Sequence, residues 1–149
     1  LNLQMGPDAA VQIKPNAMRR ALRNLIENAQ RYGRRPVLSW DVSDEEVEIR
    51  VDDIGPGIPE DCIENVFQPF QRIEQSRSRE TGGHGLGLSI ARSIVLEHGG
   101  VIDLANRDEG GLRARVALPL AVARTGTLDH EERMDRAVDG AIPAREVGI

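Results

Sequence analysis

Residues 82–90 read Gly-Gly-His-Gly-Leu-Gly-Leu-Ser-Ile, so four of the first six positions in this stretch are glycine. Glycine loses more conformational freedom on folding than any other residue, so such a run indicates a backbone that other residues could not adopt. The run continues into an apolar pattern that predicts a helix over 86–98. A glycine-rich segment entering a helix presents backbone N–H groups and the positive end of the helix dipole to an anion such as phosphate. A flexible hinge is the alternative interpretation of the same residues.

Two common phosphate-binding loops do not fit this stretch. Gly82 and Gly87 have the separation of a P-loop, but Leu88 stands where that loop requires lysine. A dinucleotide-binding fingerprint needs a strand before its glycines, whereas here a polar loop precedes them. Lys14 is the only lysine of the chain, and it precedes a different predicted helix. A nucleotide bound here would therefore be held without the lysine of P-loop enzymes and protein kinases.

Composition limits the class of protein. The 149 residues are 40% hydrophobic and only 3% aromatic, which predicts one domain with a mainly aliphatic core. The net charge of −5 argues against nucleic-acid binding, which needs a basic face. Cys62 is the only cysteine, so no internal disulfide can form, and a reducing compartment is indicated. No apolar run approaches a membrane span, and the first residue, Leu1, indicates a chain cut from a longer protein.

The order of predicted elements indicates an α+β fold, a mixed sheet with helices on one face. Residues 1–120 are predicted to form the folded domain, and residues 121–149 a partly disordered tail with one short helical pattern. The loop over 67–81 is long enough to indicate a functional lid or a disordered segment. The other predicted elements are a hairpin or two short strands within 1–13, helices over 16–32, 61–66 and 86–98, and strands over 37–42, 47–51, 101–105 and 112–118.

The helix over 16–32 has two distinct faces. Its flank carries Asn24, Asn28 and Arg31, although asparagine is a poor residue inside a helix. An amide oxygen suits Mg²⁺ and a guanidinium suits phosphate, so this flank is a candidate phosphate and metal site. An ordinary solvated helix flank is the alternative. The predicted core stripe consists of Met18, Leu22, Leu25 and Ala29.

A second candidate site lies in the sequence DDIGPGIP (52–59), which follows a predicted strand. Asp53 precedes Gly55 and Gly57, which allow a close approach to the backbone. A carboxylate there can accept the exocyclic amine of adenine and disfavours the carbonyl of guanine. A simple acidic turn is the alternative.

Four motifs occur in one order along the chain, namely NLIENAQRYG (24–33), DDIGPGIP (52–59), VFQPF (66–70) and GGHGLGLSI (82–90). Together they resemble the N, G1, F and G2 boxes of the catalytic and ATP-binding domain of bacterial sensor histidine kinases, in the GHKL superfamily. The resemblance is closest to kinases of the osmosensor type, and GGLRARVALP (110–119) resembles the last strand of that domain.

The resemblance implies a Bergerat fold, in which a mixed sheet lies beneath three helices and ATP binds between the helices and a lid. It implies ATP and Mg²⁺ as ligands, with Asn28 on the metal and Asn24 and Arg31 at the phosphates as the catalytic group. It also implies that Asp53 binds the adenine amine. The other implied nucleotide-binding residues are Tyr32, Gly55, Gly57, Ile58, Phe67, Phe70, Gly83, His84, Gly85, Leu86, Gly87 and Leu88.

The residue at position 24 bears on the reaction. Related ATPases carry glutamate there to activate water, whereas asparagine cannot act as a general base. The resemblance therefore implies transfer of the γ-phosphoryl group to a protein histidine, by positioning and electrostatic stabilisation. Two residues depart from the family pattern, His84 for Thr or Ser and Leu112 for Thr. The backbone contacts with phosphate around His84 are expected to survive, and neither departure is expected to prevent ATP binding.

The acceptor histidine of such kinases lies on dimerising helices that precede this domain, and no such motif precedes Asn24. His130 lies on the wrong side of the domain to be that acceptor. The fragment is accordingly expected to be a monomer that binds ATP and contacts no membrane or nucleic acid. It is expected to belong to the cytoplasmic part of an inner-membrane kinase that signals to a response regulator. A regulatory module that binds nucleotide without turnover is the alternative. Arg72, Arg77 and Arg79 are further candidate contacts for phosphate or a partner, and a solvated charged loop is the alternative interpretation of each.

Overall fold

The structure, a computed structural model, describes residues 1–69 and 86–121. Both long helices and the four later strands lie within one or two residues of their predicted bounds. Two 3-10 turns, Glu60–Cys62 and Asn65–Phe67, also occur. The helices are α1 (Pro15–Tyr32) and α2 (Gly87–Glu97), and the strands are β1 (Asn2–Gln4), β2 (Val37–Val42), β3 (Glu46–Asp52), β4 (Val101–Asn106) and β5 (Leu112–Pro119).

The five strands form one mixed sheet in the order β1-β2-β3-β5-β4. β1 is parallel to β2, and the other three pairs are antiparallel. Side chains alternate between the two faces, as the strand period of two requires: Val47 and Val51 are buried on one face of β3. The predicted mixed sheet of an α+β fold is therefore confirmed.

Both α-helices pack against the apolar face of the sheet. The buried residues of α1 are Met18, Ala21, Leu25 and Ala29, whereas Leu22 of the predicted stripe is only partly buried and packs at the margin of the core. Ala21 replaces it at the centre, where it is fully buried, as is Ala91 of α2. Small side chains let helices approach closely, and this favours alanine over leucine at the centre.

The opposite face of the sheet is lined by ion pairs. Arg50 contacts Asp41 at 2.8 Å, and Arg115 contacts Glu48 at 2.6 Å and Asp103 at 2.8 Å. Hydrogen bonds from Arg115 to these two carboxylates raise the pKa of its guanidinium above the usual value for arginine. This charged face favours solvent, so the sheet buries its other face.

Two predicted elements were wrong. Residues 1–13 contain one strand instead of a hairpin or two strands, because the chain after β1 turns across Trp40, whose Nε1 donates to the Pro7 carbonyl at 2.8 Å. A β-carbon on Gly6 would overlap the Trp40 backbone. The predicted helix over 61–66 is replaced by the two 3-10 turns, because a segment this short gains too little to nucleate an α-helix.

Within residues 1–69 and 86–121, no helix is both long enough and apolar enough to span a bilayer. Of the predicted lid over 67–81, only residues 67–69 are described, and Phe67 ends the second 3-10 turn. Residues 70–81 of the lid and residues 122–149 of the predicted tail lie outside the described residues.

Candidate nucleotide-binding site

Asp53 lies at the centre of the candidate site, immediately after β3. Its side chain is 5% exposed, and it is the one buried charged or polar residue in the described part of the chain. A buried carboxylate is costly unless hydrogen bonds compensate it. Oδ1 accepts two such bonds, from the Gly55 N–H at 2.8 Å and the Leu112 N–H at 3.1 Å. The loop and strand β5 therefore hold this carboxylate in one orientation.

The second carboxylate oxygen of Asp53 is available to a ligand. Oδ2 accepts no hydrogen bond from the residues that the structure describes, whereas Oδ1 already has two N–H donors. An oxygen held in this way presents an acceptor to an amine, and it repels a carbonyl oxygen. Leu112 makes its contact with Asp53 through the backbone N–H, so this contact does not depend on whether the side chain is leucine or threonine.

Two glycines bring the end of α1 against Asp53. A β-carbon on Gly33 would overlap the Asp53 carboxylate, and one on Gly55 would lie 2.6 Å from Cα of Gly33. Only glycine at these positions allows the helix end and the loop to touch. Sequence reasoning missed Gly33 as a residue of the site, although its place directly after the predicted helix was a signal.

Gly57 and Ile58, at the far end of the same loop, contact the end of β4. Gly57 has a φ of +71°, and a β-carbon there would overlap Oδ1 of Asn106. The Ile58 N–H donates to Oδ1 of Asn106 at 2.8 Å. Sequence reasoning missed Asn106 because it follows a predicted strand with no motif around it.

The asparagine flank of α1 faces the beginning of α2. Asn24 and Asn28 are half-buried, and Arg31 is exposed. The Asn24 amide donates through Nδ2 to the Gly87 carbonyl at 3.1 Å. Two motifs that lie 63 residues apart in the chain thus meet in space. Tyr32, at the end of α1, is 40% exposed.

The other predicted site residues fall in two groups. Phe67 is buried, and the Arg92 guanidinium lies over its ring, 4.9 Å from the centroid. Leu86 and Leu88 are half-buried beside Gly87 at the start of α2. The remaining candidates lie outside the described residues: Phe70, Arg72, Arg77, Arg79, Gly83, His84, Gly85 and His130.

The link between Asn24 and Gly87 yields a stability prediction. Asn24→Asp removes the only donor of this side chain and turns a charged oxygen towards the carbonyl, so we expect the free energy of unfolding to fall by about 1–2 kcal/mol. Gln30→Glu makes the same change of amide to acid at an exposed position of α1. Urea titration should show this control unchanged within about 0.5 kcal/mol, and equal losses in the two variants would contradict the role of the link.

Among the described residues, no group of three or more His, Cys, Asp or Glu side chains could hold a metal ion. Asn28 offers an amide oxygen, which is a hard ligand. Mg²⁺ commonly uses one or two protein oxygens together with substrate phosphates. The donors present are therefore of the kind that fits a metal shared with a nucleotide.

The sequence is similar to those of known proteins. Residues 13–122 match the family model described as "Histidine kinase-, DNA gyrase B-, and HSP90-like ATPase". The chain is 47% identical to the sensor histidine kinase GtrS of Pseudomonas aeruginosa over 106 residues, which are 71% of this chain and 22% of that protein. It is 39% identical to the sensor histidine kinase CpxA of Escherichia coli over 107 residues, 71% of this chain and 23% of that protein. The chain thus spans about a fifth of the length of these relatives.

Solved structures show the same fold. The ATP-binding domain of PrrB from Mycobacterium tuberculosis superposes with a TM-score of 0.64 at 31% identity, over 80% of each chain. The catalytic domain of the histidine kinase ThkA gives a TM-score of 0.64 at 29% identity, also over 80% of each chain.

Proposed function

The chain belongs to the family of histidine kinase-, DNA gyrase B- and HSP90-like ATPases, and from this membership we propose that it binds ATP with Mg²⁺ and transfers the γ-phosphoryl group to a histidine. The predicted resemblance to the ATP-binding domains of sensor histidine kinases is confirmed by the similarity to GtrS and CpxA. The roles proposed for individual residues rest on the resemblance together with the geometry of the site, and the proposed acceptor rests on the resemblance alone.

The buried carboxylate of Asp53 is the observation that carries the proposal. Its Oδ1 is occupied by two backbone donors, and Oδ2 is left to accept the exocyclic amine of adenine. Guanine and hypoxanthine place a carbonyl oxygen at that position, which would face the carboxylate oxygen directly. This arrangement favours adenine, because Asp53 Oδ2 would lose a charge-assisted hydrogen bond if a base without the exocyclic amine were bound.

The phosphates would lie between α1 and the start of α2. The first N–H groups of α2 have no partner within the helix, and they lie at the positive end of its dipole. Asn24 donates to the Gly87 carbonyl at this point. Asn28 would contribute an amide oxygen to Mg²⁺, and Arg31 would donate to a phosphate oxygen. When bound at this place, Mg²⁺ would neutralise the charge that develops on the phosphates.

Position 24 favours transfer over hydrolysis. The amide of Asn24 cannot take a proton from water, and its N–H₂ group is already engaged with Gly87. A neutral imidazole has a lone pair that attacks phosphorus without such a base: the new N–P bond forms, the bond from phosphorus to the bridging oxygen breaks, and ADP leaves. The acceptor would be the histidine of the dimerising helices of the parent kinase, with a response regulator downstream.

Calorimetry tests the nucleotide site. We expect ATP and ADP to bind with micromolar dissociation constants and GTP to bind on the order of 100-fold more weakly, since the lost bond to a charged group contributes about 1.5–3 kcal/mol. Equal affinity for ATP and GTP would contradict the assignment of Asp53. A site that binds ATP but never transfers phosphate would instead support a nucleotide-binding regulatory module.

The role of Asn28 has its own test. Asn28→Ala removes the amide oxygen, so the gain in ATP affinity that Mg²⁺ provides should shrink about tenfold, which corresponds to about 1.4 kcal/mol. Affinity in EDTA should stay nearly constant, because the adenine contacts are untouched. Gln30→Ala, an exposed change on the same helix, is the matched control. An undiminished Mg²⁺ effect in Asn28→Ala would exclude Asn28 as the metal ligand.

A further inference from the structure

The turn between β4 and β5 contacts both ends of the loop that carries Asp53. This turn, residues 106–112, is here called the β4–β5 turn, and the loop, residues 53–58, is called the Asp53 loop. Asp53 follows β3, and the last pair of the β4–β5 ladder joins Asn106 to Leu112. The sheet register therefore sets the turn directly beside the loop.

Asn106 fixes the far end of the Asp53 loop. Its Oδ1 accepts from the Ile58 N–H at 2.8 Å, and its Nδ2 donates to the Ile58 carbonyl. One amide thus satisfies both backbone polar groups of Ile58, as a neighbouring strand would. It also occupies the space beside Gly57, where a β-carbon would overlap its Oδ1. Few side chains other than asparagine have a donor and an acceptor at this reach.

Arg107 fixes the near end of the loop. Its Nη1 donates to the Asp53 carbonyl at 2.8 Å, and its side chain is 19% exposed. Two carboxylates hold the guanidinium in place: Glu109 lies 3.1 Å from Nη2, and Asp52 lies 3.9 Å from Nε. The arginine therefore reaches the backbone of the predicted adenine-binding residue from a fixed position.

Gly111 and Leu112 complete the contact with Asp53. Gly111 has a φ of +93°, and a β-carbon there would overlap the Asp53 carbonyl oxygen. The Leu112 N–H donates to Oδ1 of Asp53 at 3.1 Å, and the Asp53 N–H donates to the Leu112 carbonyl at 2.9 Å. The carboxylate, the carbonyl and the N–H of Asp53 are all held by this turn.

We propose that Asn106 and Arg107 are positioning residues of the nucleotide site, which orient the Asp53 loop before nucleotide binds and thereby set the preference for adenine. The inference rests on the proposed function of Asp53 as the adenine acceptor. Neither residue needs to touch the nucleotide. Their effect comes through the loop, since a site that is already ordered loses less conformational freedom when the ligand arrives.

The test compares ADP with inosine diphosphate, in which a carbonyl replaces the amine of adenine. The two ligands share the sugar, the phosphates and the purine skeleton. They differ only at C6 and in the proton on N1, so the ratio of their affinities reports recognition of this edge of the base, where Asp53 is proposed to bind, and does not depend on the phosphates. We expect wild type to favour ADP on the order of 100-fold. In Arg107→Met and Asn106→Leu, which keep side-chain size and lose the hydrogen bonds, the ratio should fall to roughly tenfold, because a mobile carboxylate meets the amine less well.

Rescue variants separate positioning from folding. Arg107→Lys keeps a donor for the Asp53 carbonyl and should restore most of the ratio, and Asn106→Asp keeps the acceptor for the Ile58 N–H and should restore part of it. Arg50→Met removes an arginine of the outer sheet face, which pairs with Asp41 and Glu48, and should leave the ratio at the wild-type value. Thermal unfolding without nucleotide reports any loss of stability in each variant.

The outcomes are distinguishable. A variant that loses stability while its ratio of ADP to inosine diphosphate affinity stays at the wild-type value would overturn the inference, because Asn106 and Arg107 would then support only the fold. The inference is equally overturned if Arg107→Lys restores no more of the ratio than Arg107→Met does. A wild-type protein that does not distinguish the two ligands would instead refute the role of Asp53 in the proposed function.

Discussion

Replacing Asp53 with asparagine should lower the affinity for ADP about 100-fold while the protein stays folded, since a hydrogen bond to a charged group contributes about 1.5–3 kcal/mol. Asparagine has nearly the same shape as aspartate, and its Oδ1 can still accept from the Gly55 and Leu112 N–H groups that hold the native side chain. The atom that replaces Oδ2 is an amide nitrogen. Its N–H groups would face the N–H groups of adenine, so the variant replaces an attractive contact with a repulsive one.

We also expect Asp53→Asn to change the preference of the site between ADP and inosine diphosphate. The amide of the Asp53→Asn variant can donate to the carbonyl of inosine diphosphate, so affinity for this ligand should rise relative to ADP. Calorimetric titration of both ligands checks the reversal. Asp103→Asn is the matched control, because Asp103 pairs with Arg115 on the outer face of the sheet, and its change should leave both affinities unaltered. Retention of ADP affinity in Asp53→Asn would remove this carboxylate from the site.

Gly111→Ala should cost far more stability than Gly110→Ala. The two glycines are adjacent and have nearly equal φ angles, +93° for Gly111 and +95° for Gly110. Alanine is strained at either position, by roughly 1–3 kcal/mol. The added β-carbon at 110 has no atom within 4 Å, whereas the one at 111 would overlap the Asp53 carbonyl. We therefore expect Gly111→Ala to lose about 2 kcal/mol more than its neighbour, within the range of overpacking costs.

Urea unfolding of both variants measures the difference, and ADP titration adds a functional comparison. The strain common to both positions cancels, so the remainder reports the contact between the β4–β5 turn and Asp53. We expect only Gly111→Ala to lose ADP affinity, because the overlap must displace the backbone of Asp53. Equal stability and equal affinity in the two variants would show that close packing of this turn against Asp53 matters neither for stability nor for ADP binding.

Local patterns in the sequence predicted most of the fold. The spacing of apolar residues located α1 and α2, and the strand patterns located β2 to β5, because each element buries one face against the same core. The N-terminal segment escaped this reasoning. Its Gly-Pro turn has the composition of a hairpin, but the contact of Pro7 with Trp40, thirty-three residues away, decides where the chain goes.

The motifs predicted which residues form the candidate site and not what holds them there. Asp53 and Asn24 stand out by residue type and spacing, because each departs from the simplest local structure. Asn106, Arg107 and Gly111 lie in a segment that reads as an ordinary turn between two strands. Their contacts with the Asp53 loop depend on the register of β4 with β5, which no local pattern specifies.

The most direct test of the proposed activity is transfer from ATP labelled on the γ-phosphate to the histidine-bearing helical domain of the parent kinase, supplied as a separate protein. We expect label to appear on the helical domain as an acid-labile, base-stable phosphohistidine, and we expect little phosphate to be released when the helical domain is omitted. At ATP concentrations below the wild-type dissociation constant, Asp53→Asn should reduce the labelling about 100-fold, in line with its expected loss of affinity. Rapid release of phosphate by this chain alone, with no label on the helical domain, would contradict transfer to a histidine and identify a hydrolase.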